Sequence, residues 1–290
     1  SNALLDQVAT EDSAFSFTLP NDTFEDVDTG AVISYSAKLA GGASLPVWLD
    51  FDSATRTFSG TPENADVGTL TIEVTADDGQ GGTSATDTFD LVISNTNDDP
   101  TLDQPISNQA ATEDSAFSFT FAADTFGDED AGDTLSYTAK LVGGASLPLW
   151  LNFDSNTRSF SGTPANGDVG TISIELSADD SQGGTLATDI FNIVVANTND
   201  APTGAVVING TPTEDQALTA DTSAVADDDG LAAFDYQWLR NGVAISDASA
   251  SSYTLGDADV GASISVQISY TDARGQAESL TSTGTPAITN

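Results

Sequence analysis

The stretch "LPVWLDFDSATRTFSGTP", residues 45–62, returns as "LPLWLNFDSNTRSFSGTP" at 147–164. The interval is 147 − 45 = 102 residues, and it holds without a gap on both sides. "ATEDSAFSFT" at 9–18 recurs at 111–120, Asp78 maps to Asp180, and Asn95 maps to Asn197. A period of about 100 residues is a whole domain and not a solenoid unit. Within each copy the apolar residues alternate with polar ones. Phe15, Phe17 and Leu19 do so, as do Ile33, Tyr35, Ala37 and Leu39. Leu70, Ile72, Val74 and Ala76 follow the same rule, then Phe89, Leu91 and Ile93. A period of two is the pattern of strands with one buried face. Clusters of Thr, Ser, Gly and Pro separate them, and no helical stripe is present. Roughly seven short strands in ~100 residues predict an antiparallel β-sandwich for each copy.

From about Ala201 the 102-residue pattern breaks, although "PTED" at 212–215 repeats the "TED" of the earlier units. Phe234, Tyr236 and Trp238 alternate before Asn241-Gly242, a hairpin-turn dipeptide. Ile264, Val266, Ile268 and Tyr270 alternate again, so a third sandwich is expected. Trp48 and Trp150 sit in apolar runs after a proline, and Trp238 lies in strict alternation; all three are read as core residues rather than as exposed sugar platforms.

Composition narrows the chemistry. The 290 residues hold 45 Asp plus Glu against 6 Lys plus Arg, a formal net charge of -39. Such a surface repels nucleic acid and anionic lipid and attracts cations. No run is long and apolar enough for direct membrane insertion. Cys, Met and His are all absent. That removes disulfides, the usual nucleophile–base pairs, and soft or imidazole metal sites, so zinc, copper and haem are not expected. Oxygen ligands remain, and they suit calcium or magnesium. A pair of carboxylates could cleave glycosides, but nothing marks one pair out among so many acids; no enzymatic activity is expected. The opening "SNA", Ser1–Ala3, reads as the remnant of a cleaved tag, which would make the chain an excised piece, expected to be monomeric.

Many acids are plain solvated surface, and a halophile-like solubility device would account for them. Particular acids nevertheless return at the same point of each unit. Glu11, Glu113 and Glu214 each lie between Thr and Asp. Asp26 and Asp28 recur as Asp128 and Asp130, and "DDDG" offers Asp227 and Asp229. Asp66 and Asp168 stand in "DVG", while Asp78, Asp180 and Asp272 end alternating runs. Each repeat closes on "NTNDDP" (95–100) or "NTNDAP" (197–202). "EDVDTG" at 25–30 fails as an EF-hand loop because Val27 takes the third position.

The doubled 18-residue motif resembles the signature of bacterial dystroglycan-type cadherin-like domains, also described as immunoglobulin-like domains. These occur as repeats in large surface adhesins. The resemblance covers about two thirds of the chain. Together with the alternation in the third segment it gives the expected architecture, an all-β fold of three tandem immunoglobulin/cadherin-like antiparallel β-sandwiches in an elongated rod, with domains at 4–98, 99–200 and 201–290. The resemblance also implies calcium in each seam. Carried over by position, the first seam would use Glu11, Asp66, Asn97 and Asp98, then Asp128, Asp130 and Asp180. The second would use Glu113, Asp168, Asn199 and Asp200, then Asp227, Asp229 and Asp272. Six carboxylates per seam match at most three divalent ions, and two or one remain open because "ADVG" and "GDVG" carry a single acid where cadherins carry more. The function implied is a calcium-stiffened extracellular spacer and adhesion region at a bacterial cell surface. The alternative is a calcium-dependent module that binds polysaccharide or other cells.

Overall fold

The computed structural model describes residues 2–28 and 31–290. Ser1 of the "SNA" opening and the Thr29-Gly30 end of "EDVDTG" lie outside the described residues. The chain forms two compact units. One comprises residues up to Ile106 with Ala122–Thr138 and Leu176–Asp189; the other comprises Ser107–Phe121, Ala139–Glu175 and Ile190–Asn290. Strands dominate, and the short helices are single 3-10 turns. Among the described residues no helix is long and apolar enough to cross a membrane.

The first repeat shows how the alternation becomes two sheets. Its strands are β1 (Gln7–Thr10), β2 (Phe15–Thr18), β3 (Ser34–Leu39), β4 (Leu49–Asp52), β5 (Thr57–Gly60), β6 (Gly68–Asp77) and β7 (Ala85–Ser94). One sheet runs β1-β7-β6-β3 and the other β2-β5-β4. Their inner faces supply the core: Phe58, Ile72, Val74 and Leu91 are fully buried. Phe58 meets Phe51 at 4.5 Å between ring centroids and Phe89 edge-on at 5.6 Å. Burial of each such side chain contributes about 1.5–3 kcal/mol. Trp48 packs against this cluster from its margin, while Trp238 is buried completely at the centre of the third segment.

One pairing departs from the antiparallel expectation. β1 runs parallel to β7, from Gln7 opposite Leu91 to Thr10 opposite Ser94. The chain then crosses to the other sheet and pairs as β2 with β5. The crossing is the "TED" motif. Asp12 takes φ 55°, the left-handed region that aspartate tolerates better than most residues. Asp114 and Asp215 do the same at φ 55° and 61°. The second repeat uses the same device: Gln109–Thr112 runs parallel to 193–196, and Phe117–Thr120, Ser159–Gly162 and Leu151–Asp154 form a three-stranded sheet. Because the crossover lies beside the last strand, Glu11 and Glu113 are delivered to the end where the linker leaves.

The doubled motif is a hairpin. Asp52 Oδ1 accepts from the Ala54 and Thr55 N–H groups, and Arg56 takes φ 59° at the turn. Gly60 of "SGTP" then passes over Trp48; a Cβ there would stand 1.8 Å from the Trp48 carbonyl oxygen, and 1.7 Å from that of Trp150 at Gly162. Trp and Gly of the motif are therefore one contact.

In the third segment Val207–Asn209, Ala217–Asp221 and Ser252–Thr254 form one sheet. Asp235–Arg240 pairs with Val243–Ala244 and Ile264–Thr271, and the latter with Ala277–Thr281. Trp238, Leu218, Ile264, Val266 and Ile268 fill its core.

Candidate metal centres

Three local features converge at the first linker. The crossover presents Glu11, which is wholly buried; its Oε1 accepts the Thr96 N–H, and its Oε2 has no donor. The linker presents Asp98, half-buried, which accepts from the Asn64 amide. The loop "DED" presents Asp130, 5% exposed. Asp130 is held from the linker side, with Oδ1 accepting Asn95 Nδ2 at 2.8 Å and Oδ2 accepting the Asp98 N–H at 2.8 Å. One carboxylate oxygen from each of Glu11, Asp98 and Asp130 lies within 4.8 Å of the other two.

Beside it is a second group, Asp128, Asp133 and Asp180, with the same 4.8 Å spacing. Asp128 Oδ1 accepts the Asp130 N–H, closing an Asx turn, while Oδ2 is buried without a donor. Burial pushes the Asp128 carboxyl up, the turn's N–H opposes that, and the charges of Asp130, Asp133 and Asp180 push it further. Asp180 goes the other way: the Gln182 N–H, then the Asn97 amide, hold it below the usual carboxylate range. Asn97 reaches Asp180 Oδ2 at 3.0 Å.

The second linker repeats the first of these groups. Glu113 is wholly buried, accepts the Thr198 N–H on Oε1, and has no donor at Oε2. Its partners are Asp200 and Asp229, again within 4.8 Å. The Asp200 N–H donates to Asp229 Oδ2 at 2.8 Å, and Asn166 Nδ2 donates to Oδ1 at 3.2 Å. Burial, followed by the charges of Asp114, Asp229, Asp228 and Asp227, raises the Asp200 carboxyl. Asp227 and Asp272 lie near but form no such triplet among the described residues. Asp272 is 5% exposed and keeps Oδ2 without a donor.

The other expected ligands take local roles. Asp66 Oδ2 accepts the Glu63 N–H at 3.0 Å and Asp168 Oδ2 the Ala165 N–H at 2.9 Å, each closing its 3-10 turn. Asn199 donates to Glu278 at 2.9 Å. Sequence reasoning left out Asp133, although its mismatch with Ala31 was visible. It also passed over Asn64, whose Oδ1 is buried without a partner. Only folding shows that the turn carrying Asn64 abuts the linker. Every ligand atom in these groups is an oxygen, and buried carboxylate oxygens without donors are favourable places for a cation. The arrangement fits a hard divalent cation.

A family model described as "Putative Ig domain" matches residues 1–94 and again 99–196. Axial budding pattern protein 2 of Saccharomyces cerevisiae is 31% identical over 178 residues, which covers 54% of this chain and 21% of that protein. The serine-rich adhesin for platelets of Staphylococcus aureus is 31% identical over 153 residues, covering 53% of this chain and 6% of that protein. The chain thus spans about a fifth, or far less, of the length of these curated relatives. Mouse protocadherin-24 EC1-3 aligns at 17% identity with a TM-score of 0.47, over 97% of this chain and 95% of that one. An endo-fucoidan hydrolase of glycoside hydrolase family 107 aligns at 20% identity and 0.32, over 96% and 42%.

Proposed function

We propose, for a chain that belongs to the Putative Ig domain family, that its two acidic groupings are calcium centres and that the chain is a calcium-stiffened spacer and adhesion region of a larger bacterial surface adhesin. One observation carries this reading. Glu11 and Glu113 are fully buried with a carboxylate oxygen lacking any donor, and each faces two more carboxylates within 4.8 Å. Two unit charges ~4 Å apart repel by about 4 kcal/mol at an effective dielectric near 20. A bare cluster pushes its own linker away, and a divalent ion turns that repulsion into a clamp. Calcium takes 6–8 oxygens in loose geometry, which suits loops, linker carbonyls and Asn side chains better than the tight octahedron of magnesium.

At the first centre Glu11, Asp98 and Asp130 would hold one ion, with Asn64 Oδ1 as a neutral donor. Asp128, Asp133 and Asp180 would hold another. At the second centre Glu113, Asp200 and Asp229 would hold one. The modules are residues 4–98, 99–200 and 201–290, arrayed as a rod outside the cell, and the dystroglycan-type cadherin-like assignment of the first two rests on their doubled motif. The adhesin named among the relatives supports a surface role. Solution scattering and calorimetric calcium titration of the full chain test the proposal together. Saturable uptake of a few ions, with stiffening to an extended particle, is expected. Unchanged scattering with no saturable uptake leaves only an acidic solubility device.

A second reading, calcium-dependent binding of polysaccharide or of other cells, is favoured by Val47 and Leu149. These apolar side chains are fully exposed at the same motif position of both repeats. A glycan array with and without calcium tests it; no binding in either condition removes it.

A further inference from the structure

The two centres are not chemically equal. In the first, Asp128 Oδ2 is buried without a donor and Asp133 and Asp180 stand beside it. The corresponding carboxylate in the second is Asp227: like Asp128, it accepts on Oδ1 the N–H of the residue two positions on. Its Oδ2, however, accepts the Tyr270 hydroxyl. Tyr270 stands two residues before Asp272, where the first centre has Ala178 before Asp180.

The third carboxylate is also gone. Five residues beyond Asp128 stands Asp133; five beyond Asp227 stands Ala232. A positive charge has arrived instead. Asp180 and Asp272 each accept the N–H two residues on, and those residues are Gln182 and Arg274. Arg274 Nη2 donates to both the backbone oxygen and Oδ1 of Asn166, at 3.2 Å each. Asn166 and Asn64 open matching 3-10 turns, and Asn64 Oδ1 is the oxygen left without a partner. At three positions, then, the second centre has a neutral residue, a hydroxyl or a guanidinium where the first has an unsatisfied oxygen or an acid; the reverse holds only at Asp272, whose Oδ2 lacks a donor where Asp180 Oδ2 accepts from Asn97.

We propose that the second centre binds one divalent cation fewer than the first, because Tyr270 and Arg274 supply from the protein the donors and positive charge that an outer ion supplies at the first. This rests on the reading of both groupings as calcium centres. It makes the second linker partly ion-independent: the bridge from Arg274 to the Asn166 turn persists when calcium is withdrawn, whereas the first centre loses every counter-charge. A guanidinium is always protonated, so the bridge is indifferent to pH as well as to calcium.

Two measurements on the full chain test this. The first is calcium bound per chain at saturation, by equilibrium dialysis. Asp133→Ala, which copies Ala232, should lower the count by one. The combined change Ala232→Asp, Tyr270→Ala and Arg274→Gln, which copies the first centre, should raise it by one. An unchanged count in Asp133→Ala overturns the proposal. The second is amide hydrogen exchange in chelator, which needs no bound ion. The Thr198 and Asp200 amides should exchange at least ~10-fold more slowly than those of Thr96 and Asp98, and Arg274→Gln should erase that difference while core amides such as Ile268 keep their protection. Equal exchange at the two linkers in the parent chain also overturns it. A parent chain that takes up no calcium at all defeats the underlying reading, and is distinguished by the absence of any saturable step.

Discussion

Glu11→Gln is the most informative single substitution, because the calcium reading and a purely structural role predict opposite signs. Gln keeps the acceptor for the Thr96 N–H and nearly the same volume, and it removes one charge from the Glu11, Asp98 and Asp130 group. At 4.8 Å and an effective dielectric of about 20, one pair of carboxylates repels by about 3.5 kcal/mol. The substitution abolishes two of the three pairs, about 7 kcal/mol at that separation before screening. Asp98 is half-buried, so water and counter-ions screen much of this, and a gain of about 1–3 kcal/mol is expected in the metal-free state. For a repeat of this size that raises its Tm in chelator by at least about 5 °C. In millimolar calcium the order reverses. Losing one of three charged ligands weakens binding by roughly 10- to 100-fold, and the substituted chain should melt below the parent. Differential scanning calorimetry in chelator and in calcium reads both signs. Equal destabilisation in the two conditions would mean that Glu11 merely caps the linker backbone, and the reasoning would fail.

Gly60→Ala should be severely destabilising, by at least about 3 kcal/mol, since the new methyl would meet the Trp48 carbonyl at 1.8 Å; urea denaturation followed by Trp fluorescence reads it. Asp259→Asn should cost the third segment about 2–4 kcal/mol, because Asp259 is 1% exposed and holds Arg240 at 2.6 Å together with the Tyr253 hydroxyl. Burial pushes Asp259 up, but the Gly256 N–H, Arg240 and Tyr253 outweigh it and leave the carboxyl below its ordinary value. Its stabilisation is therefore complete above about pH 4 and lost as pH falls through the lower folded value, so the parent–variant gap should be flat from pH 8 to 5 and close only in strong acid. Lys38→Ala should change stability by less than about 1 kcal/mol in thermal melts, since its cross-strand bridge to Glu73 at 3.0 Å is half-exposed.

Period-two alternation and the 102-residue repeat were enough to dictate strands, their buried faces and the doubling, because a side chain's face on a strand follows from its parity alone. Phe17, Phe58, Val74 and Leu91 meet in a core for that reason, and Trp238 is buried for the same one. The recurrence of "TED", "DxD" and "NTND" likewise flagged the acids, since backbone turns need Asp and Asn wherever the turn recurs. Parity does not say which strands become neighbours. The parallel pairing of β1 with β7 arises only when the chain changes sheets at Glu11, and it decides that Glu11 is buried beside Thr96 rather than solvated. Nor does a motif reveal what its oxygens face. Asp66 and Asp98 read alike in sequence, yet one closes its own 3-10 turn and the other joins Glu11 and Asp130. Asp128 and Asp227 occupy the same place in their loops, and only packing puts the Tyr270 hydroxyl on one of them. Local pattern fixes direction and turn because those are properties of neighbouring residues. Burial and charge compensation are properties of groups far apart in the chain, so they come into being only when it folds.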